Sequence, residues 1–134
     1  MSVVNVAREY LGSPYSFGAH GSNPGEKMDC SKFVQNVMRE MGVSISRTTH
    51  TQKNEGQAIN YNNMQPGDCI YYNGHVVMFI GNGRIIHASS TAGKVVEGNI
   101  YDTKNIITIR RFLQGGNDNS LVFDARFIQI NMMI

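Results

Sequence analysis

The residues of this chain best suited to chemistry are one cysteine, Cys30, and two histidines, His75 and His87. Cys30 opens a predicted helix, where unpaired backbone N–H groups and the helix dipole favour a thiolate. We therefore expect its thiol to react well below pH 7. His75 and His87 lie on consecutive predicted strands, so one imidazole can act as a base while the other fixes its orientation. A buried structural cysteine and two partly buried histidines are the alternative, and the combination of all three favours thiol catalysis.

The other cysteine and histidines lie in less reactive settings. Cys69 belongs to an apolar, strand-like run and is predicted to be a small buried hydrophobe. His20, in a glycine-rich loop, and His50, in a polar stretch, are predicted to be surface residues. No pair of cysteines or histidines has the spacing of a zinc site, and no H-E-x-x-H helix is present, so we expect neither a metal nor a cofactor.

The composition describes one ordinary globular domain rather than a disordered or fibrous chain. Of 134 residues, 41% are hydrophobic and 16% are charged. A net charge of +2 gives no case for nucleic acid, and no apolar run is long enough for a membrane span. The first five residues lack the features of a signal peptide. The localisation is left open: the chain acts where it is made, leaves by another route, or belongs to a longer secreted protein.

Hydrophobic periodicity predicts the elements that must position these residues. Helices are predicted at 2–11 and 30–41, with a short helix within 47–58. Strands are predicted at 69–72, 75–80, 84–89, 95–96 and 106–112, and a long loop covers 13–27. Helices followed by hairpin-linked strands indicate an α+β fold, with N-terminal helices packed on a mostly antiparallel sheet.

The hairpin that carries the two histidines poses a problem of register. Because side chains alternate along a strand, His75 and His87 must project from the same face to act together. A two-residue turn at Asn82-Gly83 would place position 87 opposite Met78, with His87 facing away from His75. We therefore expect a three-residue loop, residues 81–83, that places position 87 opposite Val77. A β-bulge between the histidines would serve equally well.

Several short motifs lie in a characteristic order along residues 3 to 112: Tyr10 to Gly18, Asp29-Cys30-Ser31 at a helix start, Arg47-Thr48-Thr49 with Gln52 and Gly56, Pro66-Gly67-Asp68 before a strand, Gly74-His75-Val76 and Ile86-His87-Ala88-Ser89. Together they resemble the NlpC/P60 family of cell-wall cysteine peptidases. The resemblance implies a papain-like core and hydrolysis of peptidoglycan stem peptides through an acyl-enzyme. The usual bond joins the side-chain carboxyl of D-glutamate to the following diamino acid.

The resemblance also implies a role for each matching residue. Cys30 matches the nucleophile, His75 the base and His87 the polar third member of a catalytic triad. Four further positions are expected to bind substrate: Tyr15, Asp29, Ser31 and Arg47. Of these, Tyr15 would line the site beside the cysteine and help to polarise the scissile carbonyl. Asp29 and Ser31 would hold the free amine of the L-alanine of a stem peptide. Arg47 would pair with a substrate carboxylate, and a solvated surface arginine is its alternative.

The sequence departs from the family pattern at three positions, Phe17, Ala19 and Lys32, which bear on substrate specificity more than on the reaction. We predict an NlpC/P60-like catalytic domain at 1–112, followed at 113–134 by a linker and C-terminal extension. Residues 121–134 alternate like a strand that would pair with the domain's own sheet edge or with another molecule, so a homo-oligomer through the extension is possible.

Two other functions stay open at this point. An amidase or an acyltransferase could use the same Cys–His pair on another acyl donor. A non-catalytic cell-wall-binding module could keep the fold without turnover. The intact trio of Cys30, His75 and His87 argues against the second, since a retired site is free to lose any of them.

Overall fold

A computed structural model of the protein describes residues 2–113. That range contains helices α1 (Val3–Arg8), α2 (Cys30–Glu40) and α3 (Thr49–Gln52), a 3-10 helix (Tyr61–Asn63), and strands β1 (Gln57–Ala58), β2 (Cys69–Tyr72), β3 (His75–Gly81), β4 (Arg84–Ser89), β5 (Lys94–Asn99) and β6 (Thr108–Arg111). The strands form one antiparallel sheet in the order β1-β6-β2-β3-β4-β5. The strand predicted at 121–134 lies outside the described residues.

Side-chain caps set where the first two helices begin. The hydroxyl of Ser2 accepts a hydrogen bond from the backbone N–H of Asn5 at 3.0 Å, and α1 starts at the next residue, Val3. The carboxylate of Asp29 accepts one from the N–H of Lys32 at 2.9 Å, so that α2 starts at Cys30. The start of α2 at Cys30 was predicted, whereas α1 was predicted at 2–11 and is shorter, because Ser2 is its cap and the helix ends at Arg8.

The sheet is buried on both faces. Helices α1 and α2 pack on one face, where the helix stripe of Phe33, Val34, Val37 and Met38 meets sheet residues that include Tyr71, Val76, Met78 and Ile86. The opposite face carries Ile70, Val77, Ile85 and Ile109, and partly buried residues of connecting segments, such as Ile59 and Ile100, cover it. The predicted α+β fold, with helices on an antiparallel sheet, is confirmed.

The β3–β4 hairpin differs from the three-residue loop that we expected. Gly81 pairs with Arg84, so the turn has two residues, Asn82 and Gly83, with φ of +54° and +71° as a type I′ turn requires. A β-bulge between Phe79 and Gly81 then shifts the register, and the next pairs are Phe79 with Ile85 and Met78 with Ile86. The three-residue loop is wrong, and the bulge alternative is confirmed.

The bulge corrects the facing of the histidines. Continuing the register from Met78–Ile86 places position 87 opposite Val77, as catalysis requires. If the same residues paired regularly from Gly81–Arg84 with no bulge, position 87 would lie opposite Met78 and His87 would point to the other face. The two-residue turn that Asn82-Gly83 indicates is therefore present. The β-bulge between Phe79 and Gly81 places both histidines on one face.

A smaller difference concerns the region between α2 and β2. The short helix predicted within 47–58 occupies only Thr49–Gln52, and residues 57–58 form an edge strand that pairs with β6. A two-residue strand has too few positions to show alternation, which is why periodicity missed it.

Candidate active site

Cys30 lies at the first position of α2, where the helix meets the sheet. Its residue surface is 7% exposed, so the thiol is almost buried while the helix start leaves its backbone N–H unpaired within the helix. The backbone N–H groups of Val76 and Ser31 favour the thiolate and so lower the pKa of the thiol. Helix α2 packs against β3, the strand that begins with His75.

His75 and His87 form a hydrogen-bonded pair across β3 and β4. Nε2 of His75 lies 2.8 Å from Nδ1 of His87, and the ring centroids are 5.1 Å apart at an interplanar angle of 70°. For His75 to accept a proton at Nδ1, its Nε2 must carry the hydrogen and donate it to His87. The pair thus leaves one nitrogen of His75 available as a base and fixes the orientation of the ring.

Burial decides the resting charges of the thiol and the two imidazoles. Burial raises the pKa of the Cys30 thiol, and the charge of Asp29 adds to this, while the N–H groups of Val76 and Ser31 oppose it. Burial also lowers the pKa of His75. The pKa of His87 falls to about 4, because of burial and then of its neighbour His75. With these directions the thiol and both imidazoles are uncharged at neutral pH, whereas the sequence predicted a thiolate stabilised by the helix start and His75.

Asp29 is the centre of a charged cluster next to the thiol. Its two carboxylate oxygens accept hydrogen bonds from both terminal nitrogens of Arg47, at 3.0 and 3.1 Å. They also accept from the N–H of Gly18 at 3.1 Å and from the hydroxyl of Ser31 at 3.2 Å. Burial alone would raise the pKa of Asp29, but Arg47 and the backbone N–H groups of Lys32 and Gly18 hold it below its usual range.

The guanidinium of Arg47 is engaged on every side. Besides Asp29, it donates to the hydroxyl of Ser31 at 2.9 Å, to the carbonyl of Ala19 at 2.7 Å and to Nδ1 of His20 at 3.2 Å. His20 is exposed, as predicted, yet it contacts this cluster. Because its donors are occupied, the geometry favours Arg47 as the residue that orients Asp29. A direct contact with a substrate carboxylate stays a prediction.

Tyr15 lies in the loop before α2, where it pairs with Met28 in an isolated β-bridge. Its ring packs against the core cluster that contains Cys30. Burial raises the pKa of its hydroxyl, and the charges of Cys30 and Asp29 add to this. The structure therefore brings Tyr15, Asp29, Ser31 and Cys30 together at one end of α2.

Two parts of the site were missed from the sequence. Gln52 is fully buried, and its amide donates to the carbonyls of Ser31 and Ser46 at 3.1 and 2.7 Å and accepts from the hydroxyl of Tyr71 at 2.8 Å. Glutamine is usually exposed, so only its place in the motif after Arg47 could have indicated a role. Tyr101 packs against His87 with ring centroids 6.1 Å apart, and no periodic pattern surrounds it in the sequence.

Cys69 lies away from this cluster. It is fully buried in the sheet, its thiol lies 3.5 Å from the carbonyl of Gly67, and burial raises its pKa further than that of Cys30. Both cysteines are free thiols. Across residues 2–113, no three histidine, cysteine, aspartate or glutamate side chains lie close enough to share a metal ion. In the same range, no helix combines the length and the apolar character needed to cross a bilayer.

Comparison with known proteins agrees with this architecture. Residues 12–114 match the NlpC/P60 family. A solved structure of the peptidoglycan hydrolase RipB of Mycobacterium tuberculosis superposes with a TM-score of 0.73 and 29% identity, covering 84% of this chain and 63% of that one. The helix-on-sheet arrangement that presents Cys30 is thus a papain-like α+β fold.

Curated relatives give the same result. A probable endopeptidase of Corynebacterium glutamicum is 35% identical over 99 residues, 72% of this chain and 46% of the relative. The γ-DL-glutamyl hydrolase of Bacillus subtilis is 33% identical over 135 residues, 92% of this chain and 32% of the relative. The chain spans less than half the length of both relatives. It belongs to the NlpC/P60 family.

Proposed function

We propose that this chain is a cysteine endopeptidase of bacterial peptidoglycan, cleaving stem peptides between the γ-carboxyl of D-glutamate and the following diamino acid. The observation that carries the proposal is the hydrogen-bonded pair His75–His87, 2.8 Å between nitrogens, on the two strands against which the helix that begins with Cys30 packs. Membership of a family whose relatives include a γ-DL-glutamyl hydrolase supports both the reaction and the bond.

In the first half of the reaction Cys30 is the nucleophile and His75 the base. The sulfur attacks the γ-carbonyl carbon while Nδ1 of His75 takes the thiol proton, because both groups rest neutral. The backbone N–H of Cys30 and the hydroxyl of Tyr15 donate to the oxyanion of the tetrahedral intermediate. Collapse breaks the C–N bond, His75 gives its proton to the leaving amine, and a thioester remains on Cys30.

In the second half water releases the acyl group. A water molecule attacks the thioester carbonyl while His75 takes one of its protons. The C–S bond then breaks, the D-glutamate γ-carboxyl is formed, and the sulfur recovers a proton from His75. Throughout, His87 accepts the hydrogen bond from Nε2 of His75 and stabilises the transient imidazolium, as a carboxamide would.

The end of α2 is suited to the free amine of the substrate. Asp29 stays ionised because Arg47 and the N–H groups of Gly18 and Lys32 lower its pKa, so it can pair with an ammonium. The hydroxyl of Ser31 lies within the same cluster. We therefore assign the L-alanine amine to Asp29 and Ser31, and we assign to Arg47 the orientation of Asp29.

Digestion of purified peptidoglycan tests the proposal. Walls of the diaminopimelate type and the lysine type would be incubated with the protein, and the products would be identified by mass spectrometry. The expected products carry a new D-glutamate γ-carboxyl and a new diamino acid amine. Release of intact stem peptides from the glycan would indicate an amidase, and transfer to an added amine an acyltransferase.

Matched cysteine variants control for contaminating activity. Cys30→Ser and His75→Ala should each lower turnover by several orders of magnitude, roughly as in other nucleophile–base pairs that act as a unit. Cys69→Ser should leave it largely intact, since that thiol is buried in the sheet. Near-normal hydrolysis by Cys30→Ser would overturn the assignment.

A further inference from the structure

The ring of Tyr101 is exposed beside the candidate active site. The residue is 60% exposed, an unusual exposure for an aromatic side chain with partners on the sheet. It stacks on Tyr72, with ring centroids 5.8 Å apart and planes at 18°, and it leans on His87 at 6.1 Å and 36°. Since Tyr72 covers one side of the ring, the exposed surface is available to a ligand.

Local hydrogen bonds hold this ring in place. The hydroxyl of Tyr72 donates to the carbonyl of Asp102 at 2.7 Å, which ties the chain next to Tyr101 to β2. The carboxylate of Asp102 accepts from the N–H groups of Lys104 and Asn105 at 3.0 and 3.1 Å, and so closes a turn. A ring fixed before binding loses little conformational entropy when a ligand covers it.

The chemistry of the proposed reaction defines which part of a substrate meets this ring. The leaving amine takes its proton from His75, so the leaving group must lie on the histidine side of Cys30. Tyr101 packs against His87, the partner of His75, whereas the proposed amine site at Asp29 and Ser31 belongs to the acyl part of the substrate.

We propose that Tyr101, supported by Tyr72, forms the leaving-group subsite and packs against the aliphatic side chain of the diamino acid that follows the scissile bond. This inference rests on the proposed endopeptidase activity. An exposed aromatic ring next to the reacting bond recognises methylene groups by removing them from water. Both diaminopimelate and lysine present such a chain, whereas glycine or alanine does not.

Two substrates that differ only in the leaving group test the subsite: L-alanyl-γ-D-glutamyl-diaminopimelate and L-alanyl-γ-D-glutamyl-glycine. Tyr101→Ala should lower kcat/KM for the first by about tenfold, since two methylene groups removed from water contribute roughly that factor. For the glycine substrate the change should be small. Tyr101→Phe, which keeps the ring, should behave as the wild type. Ile107→Ala, on the same connection and 52% exposed, is the matched control.

The pH profile separates this role from one exerted through His87. If Tyr101→Ala lowers kcat equally for both substrates and moves the acid limb of the pH profile, the ring positions His87 and the subsite is refuted.

A binding experiment keeps the subsite testable if the wild type cleaves neither substrate. In that case the proposed function fails, and calorimetric binding of both peptides to the Cys30→Ala variant decides the subsite separately. Selective loss of binding of the diaminopimelate peptide on adding Tyr101→Ala supports it, and equal or undetectable binding of both peptides overturns it.

Discussion

The imidazoles of His75 and His87, joined by a 2.8 Å hydrogen bond, influence each other's pKa. Protonating either ring disfavours protonating the other, and burial disfavours both charged forms, so the pKa of each lies below the ordinary histidine value. A base that stays neutral below pH 6.5 remains functional in mildly acidic surroundings. This follows from the two residues alone and does not depend on the substrate.

The pH dependence of kcat/KM should reflect these lowered pKa values. We expect the acid limb to lie below about 6.5, the value of a free histidine. The same shifts act on stability: the folded pKa lies below the unfolded one, so stability is lost as pH falls through about 6.5 towards the folded value. Steady-state kinetics and thermal melts from pH 4 to 8 measure both effects. An acid limb above 7 would contradict the neutral pair.

Replacing His87 tests the orienting hydrogen bond directly. His87→Asn keeps an acceptor near Nε2 of His75 and should retain much of the activity. His87→Ala removes it and should lower kcat by about 10- to 100-fold, the effect typical of losing an orienting partner. Equal activity of the two variants would show that His87 does not orient the base.

The reactivity of Cys30 makes a second prediction at this scale. Because burial raises its pKa, alkylation by iodoacetamide should increase through a midpoint above the free-thiol value of about 8.5. The measurement is best made on the Cys69→Ser variant, in which Cys30 is the one cysteine left to be alkylated. A midpoint below pH 7 would instead reveal a thiolate–imidazolium pair in the resting enzyme.

At the scale of elements, the β-bulge in β3 is what brings the two histidines to one face. Inserting one residue after Ile80, with the turn and a one-residue bulge kept, should place Met78 opposite position 87 and rotate His87 away from His75. We expect activity to fall at least as far as in His87→Ala while the far-ultraviolet circular dichroism and the cooperative melt are preserved. Deleting Ile80 removes the bulge but keeps Val77 opposite position 87, so that variant should stay active and is the control.

How far the sequence predicts an element depends on how much of the element's pattern is local. Helix α2 was predicted because its apolar stripe and Gly42 lie within thirteen consecutive residues, 30–42. Strands β2 to β4 were predicted from apolar runs and turn residues. The bulge has no such signature, because it depends on how β3 fits against β2 and β4 at once.

The same reasoning separates the site residues. Cys30, His75 and His87 could be found because their residue types and motifs are distinctive. Gln52 and Tyr101 could not, because a buried glutamine and a half-covered tyrosine acquire their meaning only from partners far along the chain, such as Tyr71 and His87. The sequence also could not weigh the burial of Cys30, a tertiary property that opposes the predicted thiolate.

At the scale of the whole molecule, a buried ion pair joins Arg111, the last residue of β6, to Asp68 in the turn before β2. Asp68, with a side chain 2% exposed, accepts two hydrogen bonds from Arg111 at 2.8 Å each and one from the N–H of Gln65 at 2.8 Å. Asp68→Ala leaves the guanidinium without its partner and should lower the free energy of unfolding by about 3–5 kcal/mol. Denaturant unfolding measures this.

The exposed pair Arg8–Glu97 is the matched control. Its atoms are equally close, at 2.7 Å, but the Arg8 side chain is 49% exposed. Water screens such a pair, so Arg8→Ala should change stability far less than Asp68→Ala. If the two substitutions cost the same, burial would not explain the importance of Asp68.

The nearly closed environment of Cys30 has a further consequence for the lifetime of the protein in air. Oxidants attack thiolates, and they need access to the sulfur. The Cys30 thiol is protonated and the residue is 7% exposed, so there is little thiolate and little access to the sulfur. The other free cysteine, Cys69, is fully buried. Hydrogen peroxide should therefore inactivate the protein slowly at neutral pH and faster as pH rises, without sulfenic acid forming on Cys69. A thiol protected in this way needs less protection by external reductants than an exposed thiolate does.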